Sequence, residues 1–518
     1  MKKLRSYLSG SFFEADSGFV PLLDPATEEE IALASSQGAD LGAAFAFARN
    51  EGGPALRELS FAQRGELLRA MSKVLRDHRD ELLELSRRSN GTTAGDGAFD
   101  IDGATGTLAY YGGLGRSLGE RGFLTEGDGI ALAKSDGFWA QHLLLPRHGV
   151  AVHINAFNFP AWGFAEKAAC ALLAGMPVLT KPATATALLA ERCAELIAAA
   201  QILPAGAFQM LCGGAGDLLD HLGPQDVLAF TGSADTALTL RQHRNVLARN
   251  PRLNVEADSL NAAVLAPDVA PGSPAFDLFV REVVREMTQK AGQKCTAVRR
   301  ILVPSTRLDA VLEALRARLG KTTVGNPVDP AIRMGPLATA AQLRSAVAGV
   351  ALLRQEAELL LGGERVDGLG APAGKGYFFA PTLLLANEPT TAEAIHQHEV
   401  FGPVATVLPY GGEAAAAGAL VARAGGTLVT SVYTDDPAFL TGFLAAAGST
   451  TGRLYCGSAA SAEATLGSGA ALPQTLHGGP GRAGGGEELG GLVGLRLYLQ
   501  RLAVQGARAH VDQVAGLG

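Results

Sequence analysis

The stretch His148–Pro182, HGVAVHINAFNFPAWGFAEKAACALLAGMPVLTKP, predicts a strand, a helix and a second strand in immediate succession. Its first part, Gly149–Asn155, has the β-branched residues and the alternation that are typical of a buried strand. The segment Ala161–Ala174 is preceded by a proline and followed by a glycine, the asymmetry that helices show at their two ends. Pro177–Thr180 is predicted as the second strand.

The alternation of strands and helices continues downstream of this unit. Further strands are predicted at Ala207–Leu211, Val227–Phe230 and Arg252–Glu256, and further helices at Ala185–Ala200 and Ser233–Leu247. Strands that are joined by helices through short connections indicate an α/β fold with a parallel, doubly wound sheet. Ligands of such sheets bind at the carboxyl ends of the strands, so the residues that follow each strand are the candidates for chemistry.

The remaining sequence predicts a second α/β segment and several peripheral elements. Strands of the second segment are expected near Ala263–Leu265, Ile301–Val303, Ala380–Leu385, Ala405–Tyr410 and Thr427–Val432. Before the first sheet, the sequence predicts a helix that ends before residue 50, an amphipathic helical region over residues 60–90 and a hairpin at 130–148. Near the end of the chain, it predicts a glycine-rich loop at 477–491 and a strand-like tail at Leu492–Val504. A site that uses residues of both segments must lie in the cleft between them.

Composition excludes several classes of protein. The chain has 518 residues, enough for two or three domains, and its net charge of −7 leaves no basic excess to neutralise nucleic acid phosphates. No apolar run is long enough to span a bilayer, and the N-terminus lacks the apolar region of a secretory signal. The five cysteines are odd in number and form no CxxC pair, so neither a disulfide framework nor a metal site is expected. A reducing, cytoplasmic location is expected.

One cysteine has neighbours that suit chemistry. In Gly292-Gln293-Lys294-Cys295-Thr296, the sulfur follows a glycine-bearing turn and precedes a predicted strand. A reactive cysteine must be a thiolate, and cations such as Lys290, Lys294 or a bound cofactor can lower its pKa. Taken alone, the stretch slightly favours an ordinary buried cysteine.

Six short motifs together form a specific pattern in this chain. They are Asn155-Ala156-Phe157-Asn158-Phe159-Pro160, Thr180-Lys181-Pro182, Phe230-Thr231-Gly232-Ser233, Asn254-Val255-Glu256, Gly292-Gln293-Lys294-Cys295 and Glu399-Val400-Phe401-Gly402-Pro403. With these motifs the chain resembles the NAD(P)-dependent aldehyde dehydrogenases from about residue 24 to residue 505. The resemblance implies a Rossmann-type cofactor domain (residues 1–129 and 149–260), an α/β catalytic domain (261–476) and a small β arm (130–148 with 491–518). In this family such an arm joins subunits, so a homodimer is expected.

The resemblance also implies the catalytic roles. Cys295 would attack the aldehyde, and the Asn158 side chain with the Cys295 N–H would hold the resulting oxyanion. Glu256 matches the base that activates water for thioester hydrolysis. The alternatives are a turn-forming role for Asn158 before a proline and a paired or solvated carboxylate at a strand end for Glu256. Glu166 is expected either as a second acid/base or relay to Glu256, or as a partner of Lys167 or Arg192.

The cofactor residues follow from the same motifs. Those expected to contact it are Phe157, Lys181, Thr184, Thr231, Gly232, Ser233, Glu399 and Phe401. Lys181 matches a lysine that holds the adenosine ribose, Ser233 opens a helix near the pyrophosphate, and Glu399 matches the carboxylate that binds the nicotinamide ribose, rather than a surface acid. NAD-preferring relatives commonly carry a glutamate where this chain has Thr184. NADP is therefore expected as the preferred cofactor, with NAD possible.

The substrate class is also inferred from the resemblance. The region 152–191 and the loop His477–Gly491 are similar to a branch of the family that oxidises CoA-linked semialdehydes in the degradation of aromatic acids, so 3,4-dehydroadipyl-CoA semialdehyde is the expected aldehyde. Arg482 and Arg496 are candidates to contact CoA, although solvated surface arginines are the more ordinary interpretation. The alternatives are another small semialdehyde, a CoA-acylating reaction, which would typically lack the base at Glu256, and a catalytically silent binding protein, which would be expected to lose Cys295.

Overall fold

The computed structural model describes residues 1–517. The α-helices within these residues are, in chain order, α1 (Leu41–Phe47), α2 (Gly53–Glu58), α3 (Phe61–Asp77), α4 (Arg79–Asn90), α5 (Ala94–Leu118), α6 (Trp162–Ala174), α7 (Ala187–Ala199), α8 (Ala234–Arg241), α9 (Arg244–Arg249), α10 (Pro274–Thr288), α11 (Leu308–Leu319), α12 (Ala340–Leu353), α13 (Ala394–Gln397), α14 (Ala414–Ala422), α15 (Pro437–Ala447), α16 (Leu492–Arg496) and α17 (Arg508–Ala515). None of these helices combines the length and the apolar composition that a membrane crossing requires.

The strands complete the architecture. In chain order they are β1 (Lys2–Lys3), β2 (Ser6–Leu8), β3 (Ser11–Phe13), β4 (Val20–Leu23), β5 (Glu30–Ala34), β6 (Leu124–Ala131), β7 (Trp139–Pro146), β8 (Ala151–Ile154), β9 (Val178–Lys181), β10 (Phe208–Met210), β11 (Val227–Thr231), β12 (Arg252–Glu256), β13 (Ala262–Leu265), β14 (Arg300–Pro304), β15 (Ala357–Leu361), β16 (Thr382–Ala386), β17 (Val404–Tyr410), β18 (Thr427–Tyr433), β19 (Thr451–Gly457), β20 (Leu476–Gly478), β21 (Glu487–Leu489) and β22 (Leu499–Gly506).

The first large sheet confirms the predicted doubly wound topology. Its strand order is β12-β11-β8-β9-β10-β2-β3, with parallel pairing from β12 to β10 and an antiparallel edge formed by β2 and β3. The helix predicted over Ala161–Ala174 is α6, and Gly175 ends it with a left-handed φ of 89°. Because β8, β11 and β12 are neighbours, the segments that follow them meet at one edge of the sheet.

The second large sheet is also mostly parallel. Its order is β15-β16-β17-β14-β13-β18-β19, and only the β15–β16 pair is antiparallel. Cys295 lies shortly before β14, a central strand of this sheet, while Asn158 and Glu256 belong to the first sheet. The active-site candidates therefore come from two sheets, as expected.

The peripheral sheet built from β22, β7 and β6 is antiparallel throughout. The predicted hairpin at 130–148 is present, but its first strand begins earlier, at Leu124. The tail at Leu492–Val504 was expected as strand from its start, and that is wrong, since residues 492–496 are helical before β22 begins. The Arg252 guanidinium donates to the carbonyls of Arg496 and Leu497 and so satisfies the end of this short helix.

Two predicted helices are each divided. The segment predicted as Ser233–Leu247 is α8 and α9, separated because the His243 ring accepts from the Asn245 N–H and caps a new helix. The amphipathic region over 60–90 is α3 and α4, which break at His78.

Helix α5 packs against α3 at unusually short range. A Cβ added to Gly65 would lie 2.7 Å from the Gly112 carbonyl oxygen, and one added to Gly115 would lie 2.6 Å from the Phe61 carbonyl oxygen. The glycines therefore allow the two backbones to touch. This contact fixes α5 beside α6, where the opposite face of α5 borders the cavity described below.

Candidate active site

Residues from three neighbouring strand ends converge at the carboxyl edge of the first sheet. Asn158 follows β8, Thr231 ends β11 and is followed by Gly232 and Ser233, and Glu256 is the last residue of β12. All three segments border a cavity that Cys295 also lines. The structure thus brings together the predicted catalytic residues from both sheets.

Cys295 is carried on a strained turn. Lys290, Ala291 and Gly292 all have left-handed φ values, 53°, 51° and 68°. Left-handed backbone costs a non-glycine residue roughly 1–2 kcal/mol, so the surrounding structure must hold this turn in place. A Cβ on Gly292 would lie 2.2 Å from the Gly402 carbonyl oxygen, which explains the glycine. The Asn261 amide donates to the Cys295 carbonyl at 2.7 Å and fixes the orientation of the residue.

A histidine stands between the predicted nucleophile and the predicted base. The His477 Nε2 lies 3.6 Å from the Cys295 Sγ and 3.3 Å from the Glu256 Oε1. The side chains of His477 and Glu256 are 4% and 3% exposed, so bulk water screens their interaction little. The three groups form a connected Cys–His–Glu cluster.

The charges of this cluster follow from burial and proximity. Burial raises the pKa of the Glu256 carboxyl, but the charge and hydrogen bond of His477, together with the charge of Lys167 and a hydrogen bond from Cys295, hold that pKa below its ordinary value. Burial lowers the pKa of His477, and Glu256 in turn outweighs it, so that the pKa of His477 is raised. The pair therefore favours a carboxylate beside an imidazolium.

The pKa of the Cys295 thiol is raised, whereas the neighbouring lysines suggested that it would be lowered. Burial, followed by the negative charge of Glu256, raises the pKa of its thiol well above the ordinary value. Lys294 lowers this pKa as expected, but its contribution is smaller than those of burial and Glu256, and Lys290 makes no comparable contribution. Lys294 forms an ion pair with the Glu286 Oε2 at 2.7 Å, and the Lys290 ammonium lies 4.3 Å from the centre of the Phe159 ring. The resting sulfur is accordingly a thiol.

Two hydrogen-bond donors, one on Asn158 and one on Cys295, belong to residues that line the same cavities. Within residues 1–517, neither the Asn158 side-chain amide nor the Cys295 backbone N–H has a hydrogen-bond partner. Asn158 is 7% exposed and lines both cavities that meet at Cys295. Preorganised donors of this kind can stabilise an oxyanion that develops on a bound carbonyl.

Glu166 lies in the cavity beside Cys295 and is paired there. The Lys167 ammonium contacts the Glu166 Oε1 at 2.9 Å and the Glu488 Oε2 at 3.2 Å. Of the two partners expected for Glu166, Lys167 is the one observed, since Arg192 instead pairs with Glu81 and Glu195. One carboxylate oxygen from each of Glu166, Glu256 and Glu488 lies within 4.8 Å of the others, so Lys167 neutralises part of a dense negative cluster.

A cavity of about 440 Å³ lies on one side of Cys295. Its lining includes six of the predicted cofactor residues, namely Phe157, Thr231, Gly232, Ser233, Glu399 and Phe401. The rings of Phe157 and Phe401 pack edge to face at 5.8 Å. Glu399 is not a surface acid, because it accepts from the Ser259 N–H at 3.0 Å and from the Arg299 guanidinium at 3.1 Å. Size, aromatic walls and the polar groups fit a dinucleotide.

The other two predicted cofactor residues lie outside this cavity lining. The Lys181 ammonium donates to the Pro182 carbonyl at 3.2 Å, and the Thr184 hydroxyl donates to the Gly213 carbonyl at 2.9 Å. Lys181 is the last residue of β9, and Thr184 directly follows Ala183, which does line the cavity.

The start of α8 is partly engaged by the protein. The Ser233 hydroxyl accepts from the Thr236 N–H, and the Asp258 carboxylate accepts from the Ala234 N–H at 3.0 Å. A pyrophosphate would therefore meet fewer free donors here than the sequence suggested.

A second cavity and an open groove lie on the opposite side of Cys295. The cavity has a volume of about 40 Å³ and is bordered by Glu166, Glu256 and His477. It adjoins a groove of about 590 Å³ through shared wall residues, which include Phe99 and Trp162. The groove runs along the face of α5 and the loop 466–474. A long substrate can thus approach the sulfur from the side opposite the dinucleotide-sized cavity.

Neither candidate arginine for CoA lines this groove. Arg482 pairs with Asp258 at 3.5 Å, and Arg496 pairs with Glu126 at 3.3 Å near the peripheral sheet. The expectation that these residues mark the mouth of the substrate tunnel is not supported by their positions. Arg496 is 52% exposed and fits the alternative of a solvated surface arginine.

His477 and Glu488 were not among the predicted site residues. Both belong to the loop that the sequence marked as glycine-rich, but the loop contains the hairpin β20–β21, in which His477 and Glu488 are directly opposed. The hairpin directs His477 to Glu256 and Glu488 to Lys167. The available signal was a histidine at the start of a glycine-rich loop, but its partner Glu256 lies 221 residues away in the chain and is not indicated by any local pattern.

Comparison with known proteins agrees with this geometry. Residues 12–500 match the family described as the aldehyde dehydrogenase family. The chain is 47% identical over 479 residues to a 3,4-dehydroadipyl-CoA semialdehyde dehydrogenase of Aromatoleum evansii, covering 92% of this chain and 93% of that protein. Betaine aldehyde dehydrogenase of Staphylococcus aureus in complex with NAD+ has a TM-score of 0.85 at 24% identity, covering 98% of this chain and 95% of that one. Lactaldehyde dehydrogenase of Escherichia coli has a TM-score of 0.83 at 23% identity, covering 97% and 99%.

Proposed function

The chain belongs to the aldehyde dehydrogenase family, and from this premise we propose that it is an NADP-dependent dehydrogenase of a CoA-linked semialdehyde. The observation that carries the general activity is the meeting of two cavities at Cys295, one of dinucleotide size and one continuous with an open groove. Because the similar protein of Aromatoleum evansii is a 3,4-dehydroadipyl-CoA semialdehyde dehydrogenase, we propose 3,4-dehydroadipyl-CoA semialdehyde as the substrate.

The first half of the reaction is acylation of Cys295. The thiol loses its proton to Glu256, and the imidazolium of His477, 3.6 Å from the sulfur, favours the thiolate. The sulfur then adds to the aldehyde carbon, and the Asn158 amide with the Cys295 N–H receives the oxyanion of the thiohemiacetal. One such donor is worth about 3 kcal/mol of transition-state stabilisation. The nicotinamide of the bound cofactor supplies the hydride acceptor.

The second half is hydrolysis of the thioester. Glu256, whose pKa is held low beside His477, first releases to solvent the proton that it took from Cys295. The carboxylate then takes a proton from water as the water attacks the acyl carbon, and it returns that proton to the departing Cys295 thiolate. The acid leaves and the Cys295 thiol is restored. A CoA-acylating enzyme would send a thiol to this carbon instead, and the buried carboxylate at Glu256 argues for water.

The remaining cofactor contacts are part of the same proposal. Glu399 and the Phe401 ring would hold the nicotinamide ribose, and Lys181 with Ser233 would hold the adenosine side. Glu166 would act through Lys167 and the neighbouring carboxylates, so we expect it to position charge and not to touch the aldehyde.

A homodimer through the peripheral sheet also remains a proposal. The region around the β6–β7 connection exposes Ile130, Leu132 and Phe138 at 46%, 42% and 45%. Exposed apolar side chains gathered on one arm favour contact with another chain. Sedimentation equilibrium of the full chain would distinguish a dimer from a monomer.

The groove provides a direct test of the CoA-linked substrate. Gly106 lies on the groove face of α5, and an added Cβ there would have no atom within 4 Å. Gly106→Phe should therefore fill the groove without disturbing the helix. We expect kcat/KM for the CoA-linked semialdehyde to fall roughly 10- to 100-fold, while the free semialdehyde of the same chain length is oxidised nearly as before.

Gly113→Phe is the matched control for this experiment. Gly113 is on the same helix, also with no atom within 4 Å of an added Cβ, and it does not line the groove. This variant should keep both activities. Equal losses with both aldehydes in Gly106→Phe, or no loss with either, would show that the groove does not hold the CoA portion.

The cofactor preference is tested at Thr184. A carboxylate in this position would repel a 2′-phosphate and accept from a free ribose hydroxyl, so Thr184→Glu should lower the NADP+ to NAD+ ratio of kcat/KM by about 10- to 100-fold. Thr184→Val removes the hydrogen bond to Gly213 without adding charge and should leave the ratio nearly unchanged. Steady-state measurement of kcat/KM with NADP+ and with NAD+, for the wild type and both variants, gives the ratio. A wild-type protein with equal or better kcat/KM for NAD+ would contradict the preference.

A further inference from the structure

The Cys–His–Glu cluster has the dimensions of a metal site. The Cys295 Sγ and the His477 Nε2 are 3.6 Å apart, and the His477 Nε2 and the Glu256 Oε1 are 3.3 Å apart. One ligand atom from each of the three residues lies within 4.8 Å of the others. Tetrahedral zinc with ordinary bond lengths would require about 3.5 Å between sulfur and nitrogen and about 3.3 Å between nitrogen and oxygen.

We propose that Cys295, His477 and Glu256 form a latent binding site for Zn2+, and that the metal reversibly inhibits the enzyme. The site offers one thiolate, one imidazole and one carboxylate, a donor set that suits zinc, cadmium and cobalt and discriminates against magnesium and calcium. The two anionic ligands balance the charge of a divalent ion. The proposal concerns inhibition and adds no metal to the catalytic reaction.

The surroundings favour three protein ligands with an open fourth position. The Cys295 carbonyl is fixed by the Asn261 amide at 2.7 Å, and the second oxygen of Glu256 accepts from the Thr231 hydroxyl at 3.5 Å, so two of the ligands are already oriented. The adjoining cavity of about 40 Å³ has room for roughly three waters, one of which completes the coordination. The ligands move by little when the metal enters.

Binding involves a defined exchange of protons. A Zn–S bond forms as the Cys295 thiol releases its proton to solvent, and His477 coordinates as neutral imidazole, releasing a second proton when it starts as imidazolium. No oxidation or reduction occurs. The sulfur is then unavailable to an aldehyde and Glu256 is unavailable to water, so oxidation stops until a chelator removes the ion.

Binding of Co2+ tests the site without any turnover. We expect the reduced wild-type protein to take up one Co2+ with a thiolate-to-metal charge-transfer band, tetrahedral visible bands and release of one to two protons. Cys295→Ala should lose the charge-transfer band, and His477→Ala and Glu256→Gln should each weaken binding at least about 10-fold. Thermal unfolding of each variant verifies that it is folded. Since this measurement needs no substrate, its result does not depend on the proposed function.

The exposed cysteine provides the control. Cys456 is a free, exposed thiol that lines neither of the cavities that meet at Cys295, and Cys456→Ser should bind Co2+ as the wild type does. Unchanged binding in Cys295→Ala, or loss of the band in Cys456→Ser, would overturn the site. Zn2+ should then lower the initial rate of aldehyde oxidation with full recovery on adding EDTA, and Mg2+ should not. Bound Zn2+ that left the rate unchanged would overturn the inhibitory role.

Discussion

Replacing Cys295 with alanine is expected to lower kcat by at least about 10⁴-fold, the scale on which loss of a catalytic nucleophile acts. The expectation follows from the position of the sulfur where the two cavities meet, 3.6 Å from His477, and from the absence of any other thiol in the lining of either cavity within residues 1–517. The dissociation constant for NADP+ should remain within about twofold of the wild-type value, because the sulfur lies only at the edge of the cavity proposed for the cofactor. Initial rates and a calorimetric titration with NADP+ measure the two quantities.

Cys456→Ser is the matched control for this variant. It removes an exposed thiol that borders neither cavity, so its kcat should equal that of the wild type. If Cys295→Ala retained normal turnover, Cys295 would not be the nucleophile and the covalent mechanism would be wrong. If instead it lost NADP+ binding together with turnover, the residue would have a structural role in the cofactor cavity.

Glu256→Gln is the second variant with a large expected effect. The amide cannot take a proton from water, so hydrolysis should slow by about 10²- to 10⁴-fold. Acylation would continue through the neighbouring His477, 3.3 Å from Glu256, which loses its carboxylate partner and becomes neutral at a lower pH. Rapid mixing with NADP+ and the semialdehyde should show a burst of about one NADPH per subunit followed by a slow steady rate.

The time course distinguishes this outcome from others. A linear, slow trace with no burst would mean that acylation limits the rate of this variant, so that His477 cannot replace Glu256 in that step. Acceleration of the slow phase by free CoA would indicate that thiols can replace water at the thioester. An unchanged steady rate would exclude Glu256 as the base.

The parallel sheets were predictable from local patterns. The strand predicted at Val227–Phe230 is Val227–Thr231 in the structure, and Arg252–Glu256 agrees at both ends. Buried parallel strands read as continuous apolar runs bounded by turn residues, so their positions depend on nearby sequence alone. The residues at the carboxyl end of each strand are predictable from nearby sequence as well. Asn158 and Glu256 were therefore expected at the same edge of the first sheet.

Helix α5 was not predictable in the same way. Its 25 residues include seven glycines, and glycine disfavours a helix in isolation. Two of these glycines, Gly112 and Gly115, permit close contact with α3, and this tertiary packing stabilises the helix without leaving a periodic signal in the segment. The wall that α5 provides to the open groove was therefore not predictable from the sequence.

The protonation states of Cys295, His477 and Glu256 were also not predictable from the sequence, because they depend on the folded structure. The sequence contains Lys290 and Lys294 close to Cys295, which suggested a depressed thiol pKa, but both lysines have other partners. His477 comes from a hairpin 182 residues away in the chain. A pKa reflects burial and neighbours in space, so adjacency in sequence was a poor guide to it.

Acyl transfer to Cys295 is tested most directly by the intact mass of the Glu256→Gln protein after mixing with NADP+ and the semialdehyde. We expect the mass to increase by one acyl group per subunit, and we expect this group to map to Cys295 by peptide digestion and to be released by hydroxylamine. An unmodified protein after a full burst of NADPH, or an acyl group on any other residue, would contradict acyl transfer to Cys295.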